Sequence, residues 1–171
     1  MITSPGIIDV EASGFGRGSY PIEVGVALAN GEIACFLIKP LPEWTHWTSE
    51  AEALHGISRG LLLTRGRPAA EIALELNSLL GSRVIYSDAW GFDSSWLALL
   101  HASCEIPASY RIDALTRLLS EAQQIAWADL KNNARVQLQL NRHRASADAL
   151  VLQRAYRLSI ERPLPAACTE P

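Results

Sequence analysis

The stretch Gly6–Gly16, GIIDVEASGFG, constrains this chain most: an apolar run that reads as a buried strand closes on two acids, Asp9 and Glu11, and then on glycines. Strand side chains alternate between faces, so Asp9 and Glu11 point the same way. Two like charges on one face beside a core repel each other and resist desolvation. A bound cation is the usual compensation, and its other ligands must come from elsewhere in the chain.

The rest of the sequence supplies a mixed α/β domain. After GIIDVEA, the runs YPIEVGVALA and EIACFLIKP read as a second and third strand, with Asn30-Gly31 between them as a two-residue hairpin signal. Residues 40–66 form a long connection with a short helical patch. RPAAEIALELNSLLG is an amphipathic helix with Pro near its start and Gly81 at its end, and RVIYSD is a fourth strand. DSSWLALLHAS is a helix opening with Asp and Ser, where caps are favoured. YRIDALTRLL gives a short strand running into a helix, and SEAQQIAWADLKNNARVQLQL is mainly helical with a break expected near KNN. RASADALVLQRAYRLSI is a strongly amphipathic helix, and the tail ERPLPAACTEP has no pattern.

With 171 residues and 49% hydrophobic composition, the chain is long enough to bury a core as one domain without staples. Runs such as GLLL and WLALL are too short to span a bilayer, so no membrane partner is expected, and residues 1–10 lack a signal-peptide pattern. The three cysteines, Cys35, Cys104 and Cys168, are odd in number and widely spaced, which fits reduced thiols in the cytoplasm rather than disulfides or a zinc site. Charge is uneven: residues 1–130 carry 8 Lys+Arg against 15 Asp+Glu, and residues 131–171 carry 7 against 3. Taken alone, Lys131, Arg135, Arg142, Arg144, Arg154, Arg157 and Arg162 read as solvated helix faces; an anionic partner is the alternative.

Candidate ligands to join Asp9 and Glu11 are Asp88 and Asp93 in YSDAWGFDSSWLALL, and Asp148 in NRHRASADALVL. Asp93 shares a helical stripe with Trp96, Leu97 and Leu100, so it points inward; as plain structure it is a helix cap, and Asp88 a turn residue. His143 belongs to the loop before the last helix and Asp148 to its first turn, a position the helix dipole alone also favours. Together these acids and the imidazole suit hydrolysis by two divalent ions: hard oxygen ligands select Mg²⁺ or Mn²⁺, and a neutral His takes a proton from the attacking water.

DVE at 9–11, LHGIS at 54–58, FDSSWL at 92–97 and HRASAD at 143–148 resemble, in order and separation, the motifs of the DEDDh 3′–5′ exonucleases. This group includes proofreading exonucleases, ribonuclease T and oligoribonuclease, and the resemblance covers residues 6–158. It implies a ribonuclease H-like α/β fold, a five-stranded mixed sheet with strands 1–3 antiparallel, in a domain over 1–160 followed by a flexible tail over 161–171. It implies that Asp9, Glu11, Asp93 and Asp148 bind two Mg²⁺ or Mn²⁺ ions, with His143 as general base. Substrate contacts would come from Ala12, Ser13 and Gly14 and from Leu54, His55 and Ile57, the glycines giving a backbone room to approach. The implied activity is metal-dependent hydrolysis at the 3′ end of single-stranded DNA or RNA.

Two departures stand out. SDAWGFD brings in the extra acid Asp88, so the alignment there is open by a residue, and Ala12 stands where a hydroxyl residue is usual. The basic loop NRHRAS turns the charge asymmetry toward phosphate contact. Trp44 and Trp47, flanking His46, are read as cover for the core, with base stacking the alternative. A catalytically silent nucleic-acid-binding module of the same fold is the competing reading. DNA or RNA, a homodimer, and docking on a polymerase are fixed by none of these residues.

Overall fold

The computed structural model describes residues 4–140 and 143–161. Of the expected tail over 161–171, Glu161 closes the last helix, and 162–171, with Arg162 and Cys168, lie outside the described residues, as does Arg142. Three strands open the chain: β1 (Ile7–Ala12), β2 (Pro21–Ala27) and β3 (Ile33–Lys39). The connection that follows folds into two short helices, α1 (Ser49–His55) and α2 (Arg59–Arg65), capped by Thr48 and Ser58. Next come β4 (Arg67–Pro68), α3 (Ala69–Leu80), β5 (Val84–Ser87), α4 (Trp90–Ser103) and β6 (Arg111–Ala114). A 3-10 turn at Leu115–Leu118 leads to α5 (Glu121–Ile125), α6 (Trp127–Leu138) and α7 (Ala145–Glu161).

The sheet has six strands in the order β4-β3-β2-β1-β5-β6. Strands β1–β3 are an antiparallel meander, and β5 runs parallel to β1. The sixth strand is β4, a two-residue parallel addition beside β3. Pro68 confines it to the edge, because proline has no N–H to donate to a further strand.

Three local expectations are corrected. The hairpin between β2 and β3 is not a two-residue Asn-Gly turn. Gly31 N–H donates to Leu28 O and Leu28 N–H to Glu32 O, making a three-residue loop with Gly31 at φ +89° in the bulge position. The break in the helical stretch falls at Ala126, not at KNN, and α5 starts on a capping box between Ser120 and Gln123. Helix α4 begins at Trp90, so Asp93 lies inside its first turn and is not its cap.

Each face of the sheet carries a core. Ile8, Val10, Ile22, Val24 and Val26 pack with α3 and α4 residues such as Leu76, Trp96, Leu97 and Leu100. On the other face Ile7 and Ala27 meet Trp127, Leu130, Leu152, Ala155 and Leu158 from α6 and α7. Burying each large aliphatic side chain stabilises the fold by about 1.5–3 kcal/mol. Gln153 is a buried polar residue on α7; its amide donates to Pro5 O, Ala27 O and Leu28 O and ties the helix to the strand ends. Asp9 and Glu11 continue the Ile7 face, so the acids emerge where the start of α7 crosses β1. Strand β1 lies between an antiparallel and a parallel neighbour, and such a switch in sheet order is where α/β folds open a crevice.

Candidate active site

The crevice is a cleft of about 510 Å³ whose wall includes Asp9, Glu11, Asp93, His143 and Asp148. Five segments far apart in sequence meet there: the end of β1, the loop after it, α1, the first turn of α4, and the loop and first turn of α7. Ligand atoms of Glu11, His143 and Asp148 lie within 4.8 Å of one another.

The acids differ in what the protein gives them. Burial, then Asp93, Glu11 and Asp148, hold the Asp9 carboxyl well above the usual carboxylate range. Burial and the charges of Asp148, Glu23 and Asp93 push Glu11 up to about 7. Asp93 is fully buried and is also pushed up to about 7, mainly by burial, although the Ser87 hydroxyl donates to its Oδ2. Asp148 is better supplied: Arg135 Nη2 donates to Oδ1 at 2.9 Å and the His143 N–H to Oδ2 at 2.7 Å. That second bond fits the left-handed backbone of His143, φ +62°, a conformation that ordinarily costs a non-glycine residue about 1–3 kcal/mol.

Asp88 does not line the cleft. Its two oxygens accept from Trp127 Nε1 and Lys131 Nζ, each at 2.7 Å, and so pin α6 to the end of β5. Of the two acids the sequence left competing, Asp93 is the one beside Asp9.

The six expected substrate contacts divide. Ala12, Gly14, Leu54 and His55 line the cleft. Ser13 and Ile57 do not; both are buried in the fold. Ser13 Oγ accepts from Tyr20 N–H and pairs with His46 Nδ1, so it shapes the loop from beneath. His55 Nδ1 accepts from Ile57 N–H, which leaves the proton of the neutral ring on Nε2. That buried Nε2 makes no well-formed hydrogen bond among the described residues; burial first of all lowers the ring's pKa, against a smaller raising effect of the nearby Ala12 carbonyl.

Aromatic residues not anticipated from the sequence rim the cleft. Phe15 is 66% and Phe92 55% exposed, their centroids 5.2 Å apart, and Phe92 stacks on Trp96 at 5.7 Å. The signal was present: both phenylalanines stand next to an acid motif, in SGFG and WGFD. Trp44 is buried against Tyr20 and Trp47 Nε1 donates to Glu52, and neither lines the cleft.

The basic residues of the last segment are also largely engaged inside the protein. Lys131 pairs with Asp88, Arg135 with Asp148, Arg144 with Glu23 and Arg154 with Glu161, while Arg157 reaches the Ser4 hydroxyl. Among the described residues these five do not form the open anionic-partner surface that the number of basic residues suggested; Arg142 and Arg162 lie outside them.

No protein-family model and no curated protein matches the chain. Solved structures do. Exonuclease I from Methylocaldum szegediense superposes with a TM-score of 0.70 at 16% identity over 95% of this chain and 41% of its own. The zinc-bound E. coli exonuclease I complex with single-stranded DNA gives 0.71, 16%, 95% and 41%. S. pombe Pop2p with Mg²⁺ and Mn²⁺ bound gives 0.70 at 15% identity, over 96% of this chain and 86% of its own. The chain thus spans about two fifths of the exonuclease I chains and most of Pop2p. Likeness at these identities establishes the architecture: the chain has the ribonuclease H-like fold of these nucleases.

Proposed function

We propose that this chain is a metal-dependent 3′–5′ exonuclease that hydrolyses phosphodiester bonds at the 3′ end of single-stranded DNA or RNA. The observation that carries the reading is the charge of the cleft wall. Among the described residues it holds Asp9, Glu11, Glu50, Asp93 and Asp148, and no Lys or Arg. A nucleic-acid phosphate is repelled by such a wall unless cations neutralise it. Carboxylate oxygens with one imidazole fit Mg²⁺ or Mn²⁺, and Asp9, Glu11 and Asp93, raised first by burial and then by neighbouring acids, make no ion pair with a Lys or Arg among the described residues.

In this reading Asp9, Glu11, Asp93 and Asp148 hold two ions, which when bound polarise the phosphoryl group and stabilise charge on the attacking and leaving oxygens. The other roles belong to the chain. His143, in a loop braced by its own N–H on Asp148, accepts the proton of the attacking water at a ring nitrogen. Ala12 and Gly14 keep the wall low beside the terminal sugar, Leu54 packs against it, and His55 Nε2–H donates to a sugar or phosphate oxygen. Phe15 and Phe92 stack on bases, which suits unpaired strands because every base offers a π-face. Single-stranded DNA in the E. coli exonuclease I complex, and Mg²⁺ and Mn²⁺ in Pop2p, support the substrate and cation classes. The free thiols of Cys35 and Cys104 go with a cytoplasmic setting.

The test is degradation of 3′-labelled and 5′-labelled single-stranded RNA and DNA with Mn²⁺, with Mg²⁺ and with chelator. Metal-dependent loss from the 3′ end is expected, and the RNA-to-DNA ratio sets the substrate. No hydrolysis with Mn²⁺ bound would overturn the enzyme in favour of a binding module.

A further inference from the structure

Among the described residues Glu23 is the one acid near the cleft that neither lines it nor faces solvent: it is 0% exposed, in the middle of the otherwise apolar β2. An apolar residue there would avoid the desolvation cost and would not raise the neighbouring Glu11. Its oxygens are met by the Cys35 thiol, 3.3 Å from Oε1, and chiefly by the segment that follows His143. Arg144 Nε donates to Oε1 and Oε2 at 3.0 and 3.1 Å, Arg144 Nη2 to Oε1 at 2.6 Å, and the Ala145 N–H to Oε2 at 2.8 Å. Two residues along β2, a Cβ on Gly25 would stand 2.1 Å from Ala145 C and from Ser146 N, so only glycine lets the start of α7 settle on the strand. The register completes the pattern: Glu23 is the cross-strand partner of Glu11, and Gly25 of Asp9.

We propose that Glu23 and Gly25 form a seat on β2 that positions the 143–148 segment, with Arg144 as its clasp. The start of α7 docks on the direct neighbours of the two β1 acids, and this sets the height of His143 and Asp148 above Glu11 and Asp9. Glu23 is therefore a positioning residue, not a metal ligand, since protein donors occupy both its oxygens. The inference rests on the two-metal reading of the cleft only for its effect on cations; the seat itself is a property of the fold.

The double variant Glu23→Gln with Arg144→Met removes one charge of each sign, so the local net charge is unchanged and no buried charge is left unpaired. Hydrogen exchange in chelator, Mn²⁺ calorimetry and steady-state hydrolysis are compared with the parent. Faster exchange confined to amides 143–148 is expected, with Mn²⁺ affinity about tenfold weaker, the scale of losing an outer partner of a metal site. The kcat falls while KM for an oligonucleotide changes little. Parent-like exchange, or Mn²⁺ affinity within about twofold of the parent's, overturns the seat. If the parent binds no Mn²⁺, the two-metal reading fails and exchange alone decides the seat. Should the double variant not fold, Arg144→Gln gives a sign test: plain removal of a cation near the acids strengthens Mn²⁺ binding, whereas loss of the clasp weakens it, so stronger binding overturns the proposal.

Discussion

Asp88 and Asp93 lie five residues apart at the end of β5 and the start of α4, yet they live in opposite chemical worlds. Asp88 is met by an indole N–H and an ammonium. Asp93, the more buried of the two, has one hydroxyl. The same division runs across the sheet, where Glu23 is met by Arg144 and the adjoining Glu11 is pushed up to about 7. Where the fold uses an acid for structure, it supplies the countercharge. At the floor of the cleft Asp9 and Asp93 make no ion pair among the described residues, and buried carboxyls perturbed in this way cluster at functional sites.

Exchanging these roles is the most severe way to break the contrast. Asp93→Asn is expected to reduce metal-dependent hydrolysis by roughly three orders of magnitude, as losing a group that handles transition-state charge does. Melting of the chelated variant should stay at or above the parent's, because a buried, unpaired carboxyl is gone. Asp88→Asn is expected to keep hydrolysis within about threefold and to lose about 0–1 kcal/mol, the worth of a part-exposed ion pair. Steady-state rates and thermal melts of both variants check this, and the reverse pattern would make Asp88 the functional acid.

A gentler probe is the cation itself. At a hundred times its Kd, a ligand that binds only the folded state adds about 2.7 kcal/mol. For a chain of this size Mn²⁺ should then raise the melting temperature by roughly 5–10 °C. Asp9→Asn should remove most of that rise, while Asp88→Asn should keep it.

Between the two sets stands Asp148, half supplied by Arg135, whose own Nε is buried without a partner among the described residues. Arg135→Met should strengthen Mn²⁺ binding by about two- to fivefold, since a competing cation is removed at partial exposure. Calorimetry reads the sign, and weaker binding would mean that Arg135 orients Asp148 rather than substituting for the ion.

Much of this division could be read from residue order. Asp9 and Glu11 share a face by strand alternation, and Asp93 falls on the stripe of Trp96, Leu97 and Leu100, all of which are buried. Local periodicity places a side chain relative to its own element, and there its reach ends. The clasp between Glu23 and Arg144 joins residues 121 apart, and nothing in either segment names the other. Only the acid in PIEVGVA, out of place in a buried strand, hinted that a partner must exist. Strand β4 was equally hidden, because two residues ending in proline carry no alternation to detect. The break at Ala126 was missed for another reason: KNN looks like a helix breaker, but tertiary packing of Trp127, Leu130 and Ala134 carries α6 through it.

The smallest expected effect concerns protons. Glu11 and Asp93 titrate near 7 in the folded protein, above the ordinary values of 4.5 and 3.8 that apply once it unfolds. Between those values the folded state binds more protons than the unfolded state, so each step up in pH favours unfolding. Their contribution to stability is fully present below about pH 4, shrinks as pH rises, and is gone above about 7. Chelated protein should therefore melt at progressively lower temperature from pH 5 to 8 relative to Glu11→Gln measured beside it. Using the difference between the two proteins cancels acids such as Asp113, whose pKa is lowered by the Ala114 N–H and the Arg117 guanidinium and which titrate in the opposite sense. Saturating Mn²⁺ should flatten the decline, because the ion takes the place of the proton. A parent and variant with parallel pH profiles in chelator would mean that Glu11 is as well supplied as Asp88, and the contrast between the two kinds of acid would fail at its centre.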